Sequence, residues 1–177
     1  MENLSTLQQR DCVLFDLLFR QGEKHPGLRT TARVLSRSGD GHLHLLFPLC
    51  IWFYDQQSIS GYLSLLGSAM LVERSIYFVL KNRLKRRRPE DFLPGFRAII
   101  RASDQFSFPS GHTSAAFCLA TAASIFFGGH FNVLWLWAGL VAISRVILGV
   151  HFPGDVLAGA GIGATVATAA AALLGLL

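Results

Sequence analysis

Three short clusters hold the residue types that could do chemistry. They are KNRLKRRRP (Lys81 to Pro89), PSGH (Pro109 to His112) and SRVILGVHFPGD (Ser144 to Asp155). Lys81, Arg88 and Arg145 are cations without a nearby carboxylate in sequence to neutralise all of them. Arg grips phosphate oxygens bidentately and Lys adds a point charge. Ser110-Gly111 opens a predicted helix, where free backbone N–H groups and the helix dipole favour an anion. Gly111 lets the backbone approach closely. His112 and His151 suit nucleophilic and acid roles, because imidazole titrates near neutrality. Asp155 can orient His151 through one ring N–H and leave the other nitrogen free to attack. Taken singly, the clusters also fit a basic stop-transfer segment, a Ser110-capped helix and an Asp155-capped turn. Their convergence on one face is what points to phosphate.

The elements that must position them are apolar. Of 177 residues, 51% are hydrophobic and 15% charged, and the mean hydropathy is +0.42. A spanning helix needs about 20 mostly apolar residues. Residues 60–81, 112–128, 132–150 and 155–177 meet that description, and 43–57 is a shorter candidate interrupted by Pro48. Gly128-Gly129 and Pro153-Gly154 mark breaks. The last segment is rich in Gly and Ala, which let helices pack closely in lipid. Residues 5–21 place Gln9, Asp16 and Arg20 on one face and predict an amphipathic interfacial helix. The reading is therefore an all-α integral membrane bundle of one domain. It has about five spans in 43–177, an interfacial region in 1–42, and the reactive clusters in 81–155. The start of the chain lacks the pattern of a cleaved signal peptide. Cys12, Cys50 and Cys118 are isolated and suggest neither a disulfide framework nor a zinc site.

Charge predicts orientation. Of the 16 Lys and Arg, six lie in 1–42 and eight in 81–110, while Arg74 and Arg145 sit inside helices. With five spans, both basic regions fall on one side, and the positive-inside rule makes it cytoplasmic. All three clusters end on that same side.

The clusters resemble the three signature motifs of the type 2 phosphatidic acid phosphatase superfamily. These are Lys, six residues, Arg-Pro (Lys81, Arg88-Pro89); PSGH (Pro109 to His112); and Ser-Arg, five residues, His, three residues, Asp (Ser144-Arg145, His151, Asp155). The match carries no substitution. The short chain and its basic loop are most similar to the compact members, which include polyisoprenoid diphosphate phosphatases. The resemblance implies His151 as the nucleophile that forms a phosphohistidine, and Asp155 as its polarising partner. It makes His112 the acid for the leaving oxygen. Lys81, Arg88, Ser110, Gly111 and Arg145 become the phosphate binders. It implies no metal and no other cofactor. Members commonly have six spans, one more than counted here.

The expected function is a membrane lipid phosphatase whose substrate enters from the bilayer, with no nucleic-acid partner and a bacterial inner-membrane location. Undecaprenyl or another isoprenyl diphosphate, phosphatidylglycerophosphate and phosphatidic acid all present the required phosphate. The alternatives are a lipid-phosphate carrier or flippase and a phosphotransferase to an acceptor other than water. Glu73 stands two turns before Lys81 and is read as its structural support, with no direct Glu73–Arg74 pair assured. Arg97 and Arg101 are read as lipid anchors. Phe92, Phe96, Phe106 and Phe108 are placed at the interface. His25, His42, His44 and His130 match no motif and are treated as interfacial.

Overall fold

The computed structural model describes residues 6–177. Among them every regular element is a helix, with no strand. The helices are α1 (Thr6–Lys24), α2 (Pro26–Ser38), α3 (His42–Tyr54), α4 (Ile59–Leu84), the single turn α5 (Pro89–Phe92), α6 (Gly111–Phe126), α7 (Val133–Ile147) and α8 (Pro153–Leu173). Local chemistry sets the boundaries. Pro26, Pro89 and Pro153 stand in the first turns of α2, α5 and α8, where the missing N–H costs nothing. Gly41, with φ of 100°, turns the chain between α2 and α3, and Asp55 accepts from the backbone N–H of Gln57 and Ser58 before α4.

The expected amphipathic helix extends three residues beyond Gln21, to Lys24; its first residue, Ser5, lies outside the described part. Its Asp16–Arg20 pair closes at 2.7 Å. The next helix, α2, is an element that the hydropathy pattern did not signal. Its face is polar, and only Ala32 and Ser36 are buried.

Helices α4 and α8 are long and apolar enough to cross a bilayer, and α3 and α7 are shorter apolar helices. Large apolar side chains on the outside of these helices are exposed, among them Leu45, Leu71, Phe78, Leu136 and Leu157. Inside, Tyr62, Leu65, Ala69, Leu119, Ala122 and Ala167 form a tight core shared by α4, α6 and α8. A second cluster joins Phe15 and Phe19 of α1 to Val146, Phe152 and Val156, with Phe92 and Phe96 packed on it. Phe92 and Phe96 are half-buried and give α1 an apolar seat on the bundle. Phe96 meets Phe19 edge-on at 4.7 Å.

The α6–α8 contact is the closest approach. A Cβ on Gly163 would lie 2.1 Å from the Ser114 carbonyl oxygen, and one on Gly159 would lie 2.6 Å from that of Ser110. Gly161, two residues from each on the same helix, faces open space. Gly163→Ala is therefore expected to destabilise by about 1–3 kcal/mol through overpacking. Gly161→Ala should be neutral or slightly stabilising, since Ala is the better helix former by about 1 kcal/mol. Thermal unfolding in detergent measures both.

Candidate active site

The ends of four helices meet at one end of the bundle. Lys81 lies in the last turn of α4, Ser110 and Gly111 start α6, Arg145 lies in the last turn of α7, and Asp155 lies in the first turn of α8. The α4–α6 connection passes between them and brings Arg88.

Asp155 is fully buried. Its Oδ2 accepts the Phe152 backbone N–H at 2.8 Å and the Ser107 hydroxyl. Its Oδ1 accepts Arg86 Nη1 at 2.7 Å. The same guanidinium donates through Nη2 to Asp11 Oδ2 at 2.6 Å and to Gln8 Oε1 at 3.0 Å. Asp11 in turn accepts from Gly154 N at 2.7 Å. Helix α1 is thus tied to the head of α8. Burial alone would lower the Arg86 pKa, but Asp155 and Asp11 outweigh it and hold the pKa above the ordinary guanidinium range.

His151, also buried, stands with Nδ1 3.7 Å from Asp155 Oδ2 and makes no hydrogen bond through that nitrogen. The expected Asp155–His151 pairing is present as proximity, while the carboxylate's hydrogen bonds go to Ser107, Phe152 and Arg86. Burial lowers the His151 imidazole well below its ordinary value; Asp155 opposes this, and Arg88 and Arg145 add to it. That lowering favours the uncharged ring.

The cations divide into two layers. Arg88 and Arg145 line a cavity of about 740 Å³ together with Gly111, His112 and His151. Lys81, Ser110 and Asp155 lie one layer behind that wall. Arg88 donates Nη1 to the Val150 carbonyl and Nε to the Asp104 carbonyl at 3.1 Å. Arg145 donates Nη1 to Ser36 Oγ at 2.5 Å, and its Nε has no partner. The Ser110 hydroxyl pairs with Thr113 Oγ1 at 2.9 Å, and its backbone N–H donates to the Asp155 carbonyl at 3.1 Å. Gly111 leaves no room for a side chain, since a Cβ would lie 2.8 Å from the Tyr77 ring. Nε2 of His112 is 2.7 Å from Asp40 Oδ1.

Two expectations change. Lys81 is supported by Asp104 and Tyr77, not by Glu73. Its Nζ donates to Asp104 Oδ2 at 2.8 Å and to Tyr77 Oη at 3.1 Å. Glu73 instead pairs directly with Arg74, at 2.5 and 2.6 Å, because the long Arg side chain curls back across the angle between neighbours. Glu73 also holds the Ser114 hydroxyl, and Arg74 holds the Gly111 carbonyl at 3.1 Å, so the pair braces the start of α6. Second, two of the cations expected to bind phosphate have a carboxylate close by in space: Asp104 contacts both Lys81 and Arg88. Among the less decided residues, Arg101 and His44 line the cavity. Arg97 is exposed and lies outside the cavity wall.

Sequence reasoning missed Asp11, Ser36, Asp40, Arg86, Asp104 and Ser107. Arg86 lay within a quoted cluster and Asp104 just ahead of PSGH, but nothing local tells which acid meets which base. Asp40 follows a helix that hydropathy hides.

Buried donors around a cavity, with the imidazoles of His44, His112 and His151 on its wall, can hold an oxyanion, accept a covalent bond at one ring and move a proton at another. Comparisons place this arrangement. The model of the PAP2 superfamily matches residues 62–175. A decaprenylphosphoryl-5-phosphoribose phosphatase of Mycobacterium tuberculosis is 31% identical over 144 residues, which are 80% of this chain and 77% of that one. The fold superposes on the crystal structure of Aquifex aeolicus LpxE with TM-score 0.77, at 25% identity, covering 96% of this chain and 97% of that one. It also superposes on a transmembrane PAP2-type phosphatidylglycerolphosphate phosphatase from Bacillus subtilis, with TM-score 0.76 and 25% identity, covering 98% and 88%. The chain belongs to the PAP2 superfamily, and it is a phosphatase of the lipid-phosphatase type.

Arg86→Ala leaves Asp155 and Asp11 without their shared cation. Breaking a buried pair costs about 3–5 kcal/mol, so a large drop in unfolding temperature in detergent is expected. Arg86→Lys, whose single ammonium nitrogen replaces the guanidinium's two separated donors, should recover only part of it.

Proposed function

We propose that this protein hydrolyses a lipid-linked phosphate or diphosphate through a phosphohistidine. The observation that carries the reading is the convergence of His112, His151, Arg88 and Arg145 on one cavity wall. The free nitrogen of neutral His151 attacks phosphorus while the bond to the lipid oxygen breaks. His112 gives its proton to that leaving oxygen and then takes one from the water that opens the phosphohistidine. Asp155 stabilises the charge that grows on His151. Arg88, Arg145, Lys81 and the start of α6 at Ser110 and Gly111 receive the negative charge on the phosphoryl oxygens.

The substrate class follows the relatives, whose names include polyprenyl-linked and glycerophospholipid phosphates. An isoprenyl diphosphate such as undecaprenyl diphosphate, phosphatidylglycerophosphate or phosphatidic acid suits a site set in a bundle with exposed apolar flanks. The lipid portion stays in the bilayer and the phosphate enters sideways. We take residues 1–177 as one membrane domain of a bacterial inner membrane, with α3, α4, α6, α7 and α8 as its five spans. Helices α1 and α2 form the interfacial region, and the site faces the cytoplasm.

Phosphate release by the detergent-solubilised protein tests the chemistry. His151→Ala should abolish turnover, and His112→Ala should lower kcat by about 10²–10⁴-fold, the usual worth of general acid–base catalysis. Full activity in His151→Ala would falsify the mechanism. A panel of isoprenyl diphosphates and glycerophospholipids ranks substrates by kcat/KM. Sidedness has its own test. With Cys12, Cys50 and Cys118 replaced by Ser, a Gln105→Cys variant in intact cells should resist a thiol reagent that cannot cross membranes. Labelling from outside would place the site on the opposite face.

A further inference from the structure

Lys81 belongs to the first phosphate-binding motif, yet it does not reach the cavity wall. Asp104 stands between them: it lines the cavity, and Lys81 lies behind it. One carboxylate takes donors from two elements, Lys81 Nζ and Tyr77 Oη on α4 and Arg88 Nη2 on the α4–α6 connection. An ionised carboxylate offers about four acceptor positions, so three are filled here. Two of them, Lys81 and Arg88, are the donors that a phosphoryl oxygen would take from the first motif. The donors are fixed, with the side chains of Lys81 and Arg88 only 6% and 8% exposed, whereas that of Asp104 is 33% exposed. Arg88 is also held by two backbone carbonyls, those of Val150 and Asp104. It therefore keeps its position, and the connection stays docked, if the Asp104 side chain turns away.

We propose that the Asp104 carboxylate occupies part of the phosphoryl-oxygen site in the empty enzyme and is displaced from Lys81 and Arg88 when phosphate binds. This rests on reading the cavity as a phosphate site. Two cations beside an apolar bundle are costly unless paired, and Asp104 pairs them between turnovers. The incoming group must outcompete that internal anion. A phosphate dianion does so better than a singly charged carboxylate or sulfate ester, so Asp104 acts as a positioning and selectivity residue.

Calorimetric binding of inorganic phosphate to the solubilised protein tests this without turnover. Asp104→Asn keeps the shape and removes the competing charge, and it should bind phosphate at least tenfold more tightly than the unaltered protein. The fold preference for phosphate over acetate should shrink. Equal or weaker phosphate binding by the variant would overturn the proposal, since a residue that only holds the cations in place weakens the site when lost. Absence of phosphate binding in both proteins would overturn the phosphate-site reading itself. A structure of the unaltered protein with orthovanadate gives a second measurement that does not require the variant to fold. Asp104 should have left Lys81 and Arg88, and its persistence on both would sink the idea.

Discussion

The buried carboxylate of Asp155 is the constraint on which the rest of this structure depends. An ionised group of this kind costs several kcal/mol to remove from water and is tolerated only with a full set of partners. Phe152 and His151 are neighbours in the chain, but Ser107 and Arg86 come from either end of the α4–α6 connection. Satisfying one carboxylate thus fixes the course of the connection and the turn between α7 and α8. Because Arg86 is shared with Asp11, it also fixes where α1 sits.

Close packing supplies what electrostatics cannot. The missing side chains at Gly159 and Gly163 let α8 ride against the backbone of α6. At that spacing the Ser110 N–H reaches the Asp155 carbonyl, which joins the second motif to the third. The Glu73–Arg74 pair then braces α6 from the opposite side. A glycine-rich helix with no polar stripe therefore has as much to do with the geometry of the site as the charged residues do.

The reactive clusters were legible because each is a contiguous string whose spacing matches a helix end, and because apolar runs are hard to mistake. The helix break at Gly128-Gly129 was legible for the same reason; the one expected at Pro153-Gly154 falls just before it, because Pro153 begins α8 instead of ending α7. The α2 helix was not: its polar face and its buried Ala32 and Ser36 make sense only once α7 lies beneath it. Asp104 and Asp40 were hidden because a lone acid in a loop has no period, and its partner is set by tertiary structure. Glu73 was assigned to the wrong cation because helical spacing ranks neighbours by Cβ position, whereas an arginine side chain is long enough to reverse that ranking.

The docking of the first two helices bears on how the molecule is made. Ser36, Asp40 and Asp11 are synthesised early, but the groups that they hold, Arg145, His112 and Gly154, follow between about 70 and 145 residues later. Until residue 155 has left the ribosome, no cavity exists for these side chains to close. The enclosure lined by Arg88, His112, Arg145 and His151 therefore closes only when the earliest part of the chain folds back over the latest.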